Sequence, residues 1–93
     1  MYDLQFHEYA IKMLAALPKK IYGQVIKKAE VLRDNPSAGY LLKGSKAIHR
    51  LRSGGYRILY LIKSNHVVII DVGDRKEIYR RLERLKAVHG RVE

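Results

Sequence analysis

The chain has 93 residues, with 19 Lys and Arg against 9 Asp and Glu, for a formal net charge of +10. A length of this order predicts one small domain spanning residues 1–93, the 47% hydrophobic fraction excludes a disordered chain, and the lack of cysteine excludes disulfides and thiolate metal sites. So large a positive field points to a polyanionic partner: nucleic acid, an acidic protein or a membrane surface.

In chain order, Met1 to Phe6 alternates weakly and predicts a short first strand. The MYDLQFHEY start has neither the basic region nor the apolar region of a signal peptide, so a cytoplasmic protein is expected. His7 to Leu17 is apolar at Ala10, Met13, Leu14 and Leu17, the spacing of a helix. Pro18 breaks it and opens a second helix that runs to about Asp34, with Ile21, Val25, Ala29 and Leu32 on one face. The Asp34-Asn35-Pro36 cluster stops that helix, and Ser37 to Lys46 reads as a loop. Three strands follow, at about Ala47 to Arg52, Tyr56 to Lys63 and His66 to Val72, joined by turns at Ser53-Gly54-Gly55 and Ser64-Asn65. The apolar runs in these strands, Ile58 to Ile62 and Val67 to Ile70, are too short to span a bilayer. The tail, Arg75 to Val88, is apolar at Ile78, Leu82, Leu85 and Val88 and predicts a third helix. The order β-α-α-β-β-β-α is that of an α+β domain with a mostly antiparallel, four-stranded sheet covering the helical hairpin.

Arginines gather around one turn of this plan. Side chains alternate across a strand, so Arg50 and Arg52 share a face. A Ser53-Gly54 loop sets Arg50 opposite Arg57, and a Gly54-Gly55 loop sets Arg52 opposite Arg57; both keep the three on one face, whereas a three-residue loop sends Arg57 to the other. A Ser64-Asn65 turn pairs Ile62 with Val67 and so Arg57 with Val72, which brings Gly73, Asp74 and Arg75 beside Arg57. Four residues further along a helix, Tyr79 shares a face with Arg75. Concentrated cations repel unless an anion sits among them, and Arg clusters suit phosphate. Tyr79 adds an aromatic surface on which a base can stack. Tyr56 and Tyr60 fall on the opposite face, as does His49, and all three read as packing residues. No pair among His7, His49, His66 and His89 has metal-ligand spacing, so neither metal nor cofactor is expected.

The segments RLRSGGYRILYLI and VVIIDVGDRKEIYRRL also resemble the RelE/ParE superfamily of bacterial and archaeal toxins, through Arg50, Arg52, Gly54 or Gly55, Tyr56, Arg57, Tyr60, Val72, Gly73, Arg75 and Tyr79. The C-terminal block is similar to the RelE-like branch. The resemblance implies the toxin of a type II toxin–antitoxin pair, a metal-free endoribonuclease that enters the ribosomal A site and cuts mRNA by attack of a ribose 2′-hydroxyl on the adjacent phosphate. By resemblance, Arg57 stabilises the phosphorane, Arg75 serves the leaving group and Tyr79 stacks on a base. Arg50 and Arg52 grip phosphates, with Lys43 and Lys46 of the preceding loop as further RNA-binding groups. The implied partners are a cognate antitoxin, the ribosome and mRNA, with no membrane. Two positions depart from the family pattern. Ile48 and Arg50 stand where some members have a lysine pair, and Asp74 stands where others have histidine. Asp74 could act as the base or only pair with Arg75, while arginine, with a pKa above ~12, is a poor base. The departures keep two other readings open: a ParE-like gyrase inhibitor on the same fold, and a non-catalytic basic domain, a degenerate toxin.

Overall fold

A computed structural model of the protein describes residues 1–89. Strand β1 (Asp3–Phe6) leads into helices α1 (Glu8–Ala15) and α2 (Lys19–Glu30), and short 3-10 turns follow at Val31–Arg33 and Pro36–Ala38. Strands β2 (Tyr40–Leu41), β3 (His49–Ser53), β4 (Tyr56–Lys63) and β5 (His66–Asp74) come next, then helix α3 (Arg75–His89). The sheet runs in the order β1-β5-β4-β3-β2, with β1 parallel to β5 and the other pairs antiparallel.

The α+β class and the mostly antiparallel sheet are as expected, but there are five strands and not four. The additional strand, β2, lies in the stretch that reads as a loop. Two residues are too few to show alternation, and the strand exists because Tyr40 and Leu41 pair with Arg50 and His49. Beyond it the chain folds straight back: the Leu42 amide donates to the Ile48 carbonyl at 2.7 Å, and Ser45 Oγ accepts from the amides of Ala47 and Ile48.

Each face of the sheet carries its own apolar cluster. Ala10, Leu14, Val25, Ala29 and Leu32 of the helical hairpin and its following turn pack on Leu51, Ile58, Tyr60, Val67, Ile69 and Val72. On the other face, Ile78 and Leu85 of α3 pack on Ile48, Leu59, Leu61 and Ile70, with Leu82 partly buried beside them. Val88 does not join this stripe and is 66% exposed. At 100° per residue Val88 stands ~80° from Ile78 and ~60° from Leu85, so the last apolar residue of the pattern falls at the margin of the buried stripe.

Two details of the ladder decide where the polar side chains go. Ser53 pairs with Tyr56 and Arg52 with Arg57, so the turn is Gly54-Gly55, the second of the two candidate registers, and Gly54 takes φ +59°. In the next hairpin Ile62 pairs with Val67 as expected, but Leu59 pairs with Asp71 and Tyr60 with Ile69. Ile70 is therefore the extra residue of a β-bulge, and Arg57 stands opposite Gly73, not Val72. The reason is chemical. Without the bulge Asp71 would face the helical hairpin beside Ile58, a carboxylate in an apolar core. With it, Asp71 turns to the α3 face. There, fully buried, it accepts two hydrogen bonds from Arg81, Nε to Oδ2 at 2.9 Å and Nη2 to Oδ1 at 3.0 Å, while Val72 joins the hairpin core. Burial works against the Arg81 cation, but hydrogen bonding and charge from Asp71 outweigh it and raise its pKa above the ordinary arginine value.

The far end of α3 is tied to the start of α1. Arg81 and Arg84 lie over the Tyr9 ring at 5.7 and 5.5 Å, and the His89 ring meets the His7 ring edge-on at 5.6 Å. Burial first, then the charges of His7 and Lys63, lower the pKa of His89 below its usual 6.5. The folded state thus holds His89 neutral where the unfolded chain binds a proton. That contribution to stability is complete above the unfolded value and is lost as pH falls through it toward the folded one. Chemical denaturation followed across that window should show stability falling with acidification below pH 6.5. His89→Leu should flatten the dependence; an unchanged slope in this variant would assign it to other groups.

Candidate functional site

Arg57 is the second residue of β4, just past the Gly54-Gly55 turn; it lies on the α3 face and is only 8% exposed. Arg52 stands across from it in the ladder and Arg50 two residues further along β3 on the same face. Arg75 opens α3 immediately after β5. The pKa of Arg57 is lowered, first by burial and then by the charges of Arg52, Arg50 and Arg75. Arg57 therefore feels the other three guanidinium groups, and among the described residues none of the four pairs with a carboxylate. A cation buried beside three others is unfavourable unless an anion arrives.

The groups surround a cleft of about 520 Å³, with Arg50, Arg52, Arg57, Arg75, Lys43 and Tyr79 along its walls and Leu59, Ile78 and Leu82 as apolar lining. Tyr79, one turn along α3 from Arg75, is 79% exposed and presents its ring to this space. Lys43 is thus part of the cleft. Lys46 is exposed and borders neither this cleft nor the one beside it, so the loop supplies one of its two lysines to the site.

Asp74 has a structural role at the start of α3. Its Oδ1 accepts from the Glu77 amide at 2.8 Å, and its own amide donates to Glu77 Oε1 at 3.0 Å. This reciprocal pair is a capping box at the start of α3. It offsets the cost of opening a helix on Arg75 and Lys76, cations at the positive end of the helix dipole. Among the described residues Asp74 forms no ion pair with Arg75. Gly73 completes the corner, because a Cβ there would lie 2.7 Å from Arg81 Nη2 and 3.1 Å from Glu77 Oε1. His49 is a packing residue as expected: its ring stacks on Tyr60 at 5.2 Å and its Nδ1 lies 3.2 Å from the Ala47 carbonyl oxygen. His66 is at the far turn, beside Asp3 and Gln5.

The family model for the ParE toxin of the type II toxin–antitoxin system parDE matches residues 4–79, which includes the whole arginine cluster and Tyr79. The chain belongs to the RelE/ParE superfamily of type II toxins. Solved structures agree. The isolated RelE toxin of E. coli is 31% identical, with a TM-score of 0.69 over 95% of this chain and 99% of that one. A RelBE toxin–antitoxin complex of Mycobacterium tuberculosis is 32% identical, with a TM-score of 0.72 over 80% of this chain and 98% of its counterpart. A chromosomal ParDE system of P. aeruginosa shares the fold, with a TM-score of 0.71 over 80% and 96% of the two chains at 14% identity. No curated protein sequence matches the toxin. Among the described residues, no helix is long and apolar enough to cross a membrane.

Proposed function

We propose that this toxin is a ribosome-dependent endoribonuclease that cuts mRNA by attack of a ribose 2′-hydroxyl on the adjacent phosphate. The observation that carries the reading is the position of Arg57, nearly buried among three unpaired arginines at the wall of a cleft that also holds an exposed tyrosine ring. Such a site suits the extra negative charge of a phosphorane and one flanking base. Preorganised cations and positioning carry most of the rate in phosphoryl transfer. Arg57 would hold the phosphorane oxygens, Arg75 would stabilise the leaving 5′-oxygen, Arg50, Arg52 and Lys43 would grip neighbouring phosphates, and Tyr79 would stack on a base.

Among the described residues no carboxylate or imidazole lines the cleft: Asp74 caps α3 and His49 is stacked against Tyr60. This supports a requirement for the ribosome, which would hold the 2′-hydroxyl in line. An acidic antitoxin is the partner that the +10 charge and the cluster's lack of counter-ions favour, and both related RelBE and ParDE structures are of toxin–antitoxin systems. Induction in a bacterium, with protein synthesis, DNA synthesis and mRNA ends followed together, tests the function. Arrest of translation with new mRNA ends supports it; intact translation with collapsed replication supports gyrase inhibition instead, the reading that the ParE family model favours.

Tyr79 separates stacking from proton transfer. Tyr79→Phe should keep most single-turnover cleavage on programmed ribosomes, because stacking needs only the ring. Tyr79→Ala should lose about 1–3 kcal/mol of transition-state stabilisation, roughly ten- to a hundred-fold in rate. Equal loss in both variants would make the hydroxyl a chemical participant.

A further inference from the structure

The arginine row has two sides. Arg50, Arg52 and Arg57 line the cleft that holds Tyr79, and they also line a second cleft of about 400 Å³ on the side of α2. That second cleft carries its own exposed aromatic, Tyr40, at 75% exposure, and its own cation, Lys28 of α2. A large aromatic this open on an edge strand gains little from burial. Yet its backbone is held more tightly than an edge residue requires. Tyr40 pairs with Arg50 in the ladder, so its side chain leaves the sheet on the same face as Arg50, at the outer edge of the row, and it moves with the arginines. The fully buried Tyr60 hydroxyl donates to the Pro36 carbonyl at 2.7 Å and accepts from the Gly39 amide at 3.1 Å, pinning the segment just before Tyr40. Gly39 lies so close to the Arg50 carbonyl and the Tyr60 hydroxyl that any Cβ would collide with both. An exposed ring on a fixed backbone beside a phosphate-binding row is what a stacking platform needs, since only the side-chain rotation is left to order.

We propose that Tyr40 is a second base-stacking platform, so that the toxin grips two consecutive nucleotides, one base on Tyr79 and the other on Tyr40, with their shared phosphate on the arginine row between them. Lys28 then holds the next phosphate on the Tyr40 side. This deepens, and rests on, the reading of the site as an RNA cleft.

The test is binding without cleavage. A 2′-O-methyl RNA dinucleotide cannot be cut by its own 2′-oxygen, and its binding to the toxin can be followed by NMR titration. It is compared with the same molecule lacking one base or the other. The intact dinucleotide should bind about ten-fold tighter than either abasic form, a single stacking contribution. Tyr40→Ala should erase the advantage of one base and Tyr79→Ala that of the other. Tyr40→Phe should restore wild-type binding, and ring-current shifts should move the Tyr40 ring signals. Lys28→Ala should lower the salt dependence of a trinucleotide by about one counter-ion and leave that of the dinucleotide unchanged. If Tyr40→Ala binds the intact dinucleotide like wild type while Tyr79→Ala and Arg52→Ala weaken it, the second platform is wrong and the RNA cleft stands. If Arg52→Ala, Arg57→Ala and both abasic changes all leave binding unaltered, the RNA reading falls and Tyr40 with it.

Discussion

Arg57→Ala should abolish toxicity while the protein stays folded. On programmed ribosomes cleavage should fall by about 10²–10³-fold, the loss seen when one preorganised donor to a developing oxyanion is removed. Arg75→Ala should do the same from the other side of the cleft. Arg57→Lys should also fail for the most part, because a point charge on a flexible stem does not replace a planar fork held by its surroundings. Stability should behave differently from activity. The Arg57 cation is nearly buried beside Arg52, Arg50 and Arg75, and burial followed by those charges lowers its pKa. At neutral pH, far below any arginine pKa, that penalty is constant, so a neutral side chain relieves it. Arg57→Met keeps the packed stem and should melt at or above the wild-type temperature. Wild-type toxicity in both alanine variants would move the active site elsewhere, and a Met variant that melts well below wild type would show that the cluster is not strained.

The opposite outcome is expected at Arg81 of α3. Arg81→Met leaves the fully buried Asp71 carboxylate without its two hydrogen bonds. Breaking a buried pair on one side costs about 3–5 kcal/mol. For a domain of this size each kcal/mol shifts the melting temperature by roughly 4–8 °C, so the loss should reach tens of degrees and a large part of the total stability. Replacing both partners by apolar residues, Asp71→Leu with Arg81→Met, should recover most of it, since no charge is then left alone in the interior. Calorimetry of the two single variants and the double variant closes the cycle. Toxicity should fall with stability, because Arg81 fastens to β5 the helix that presents Arg75 and Tyr79. A single variant that melts within a few degrees of wild type would show that apolar packing alone docks α3.

The arginine end was legible because it depends on local arithmetic. Alternation along β3 and β4 and a two-residue turn are enough to gather Arg50, Arg52 and Arg57, and the helical repeat adds Tyr79 to Arg75. What escaped is non-local. The bulge at Ile70 has no signature in a run of apolar residues that reads equally well in either register, and its cause, the Asp71–Arg81 pair, joins two elements whose facing residues pattern alone does not specify. The β2 strand was hidden because pairing, not sequence period, creates it. Tyr40 escaped with it. The capping box is a different case. Asp74-Arg75-Lys76-Glu77 carries the spacing of an acidic cap and a glutamate three residues on, so this structural use is local and legible in the sequence.

The parallel pairing of β1 with β5 bears on how the molecule is made. Asp3 must meet His66 and Phe6 must meet Ile69, contacts that span most of the chain. Such closure is slow relative to helix formation, and it cannot begin until residues as far as Ile69 have left the ribosome that is making the chain. Arg75 and Tyr79 emerge later still. A nascent fragment ending before them has a helical hairpin and part of a sheet but no assembled cluster, so an activity that needs all of these residues stays silent until Tyr79 has left the ribosome.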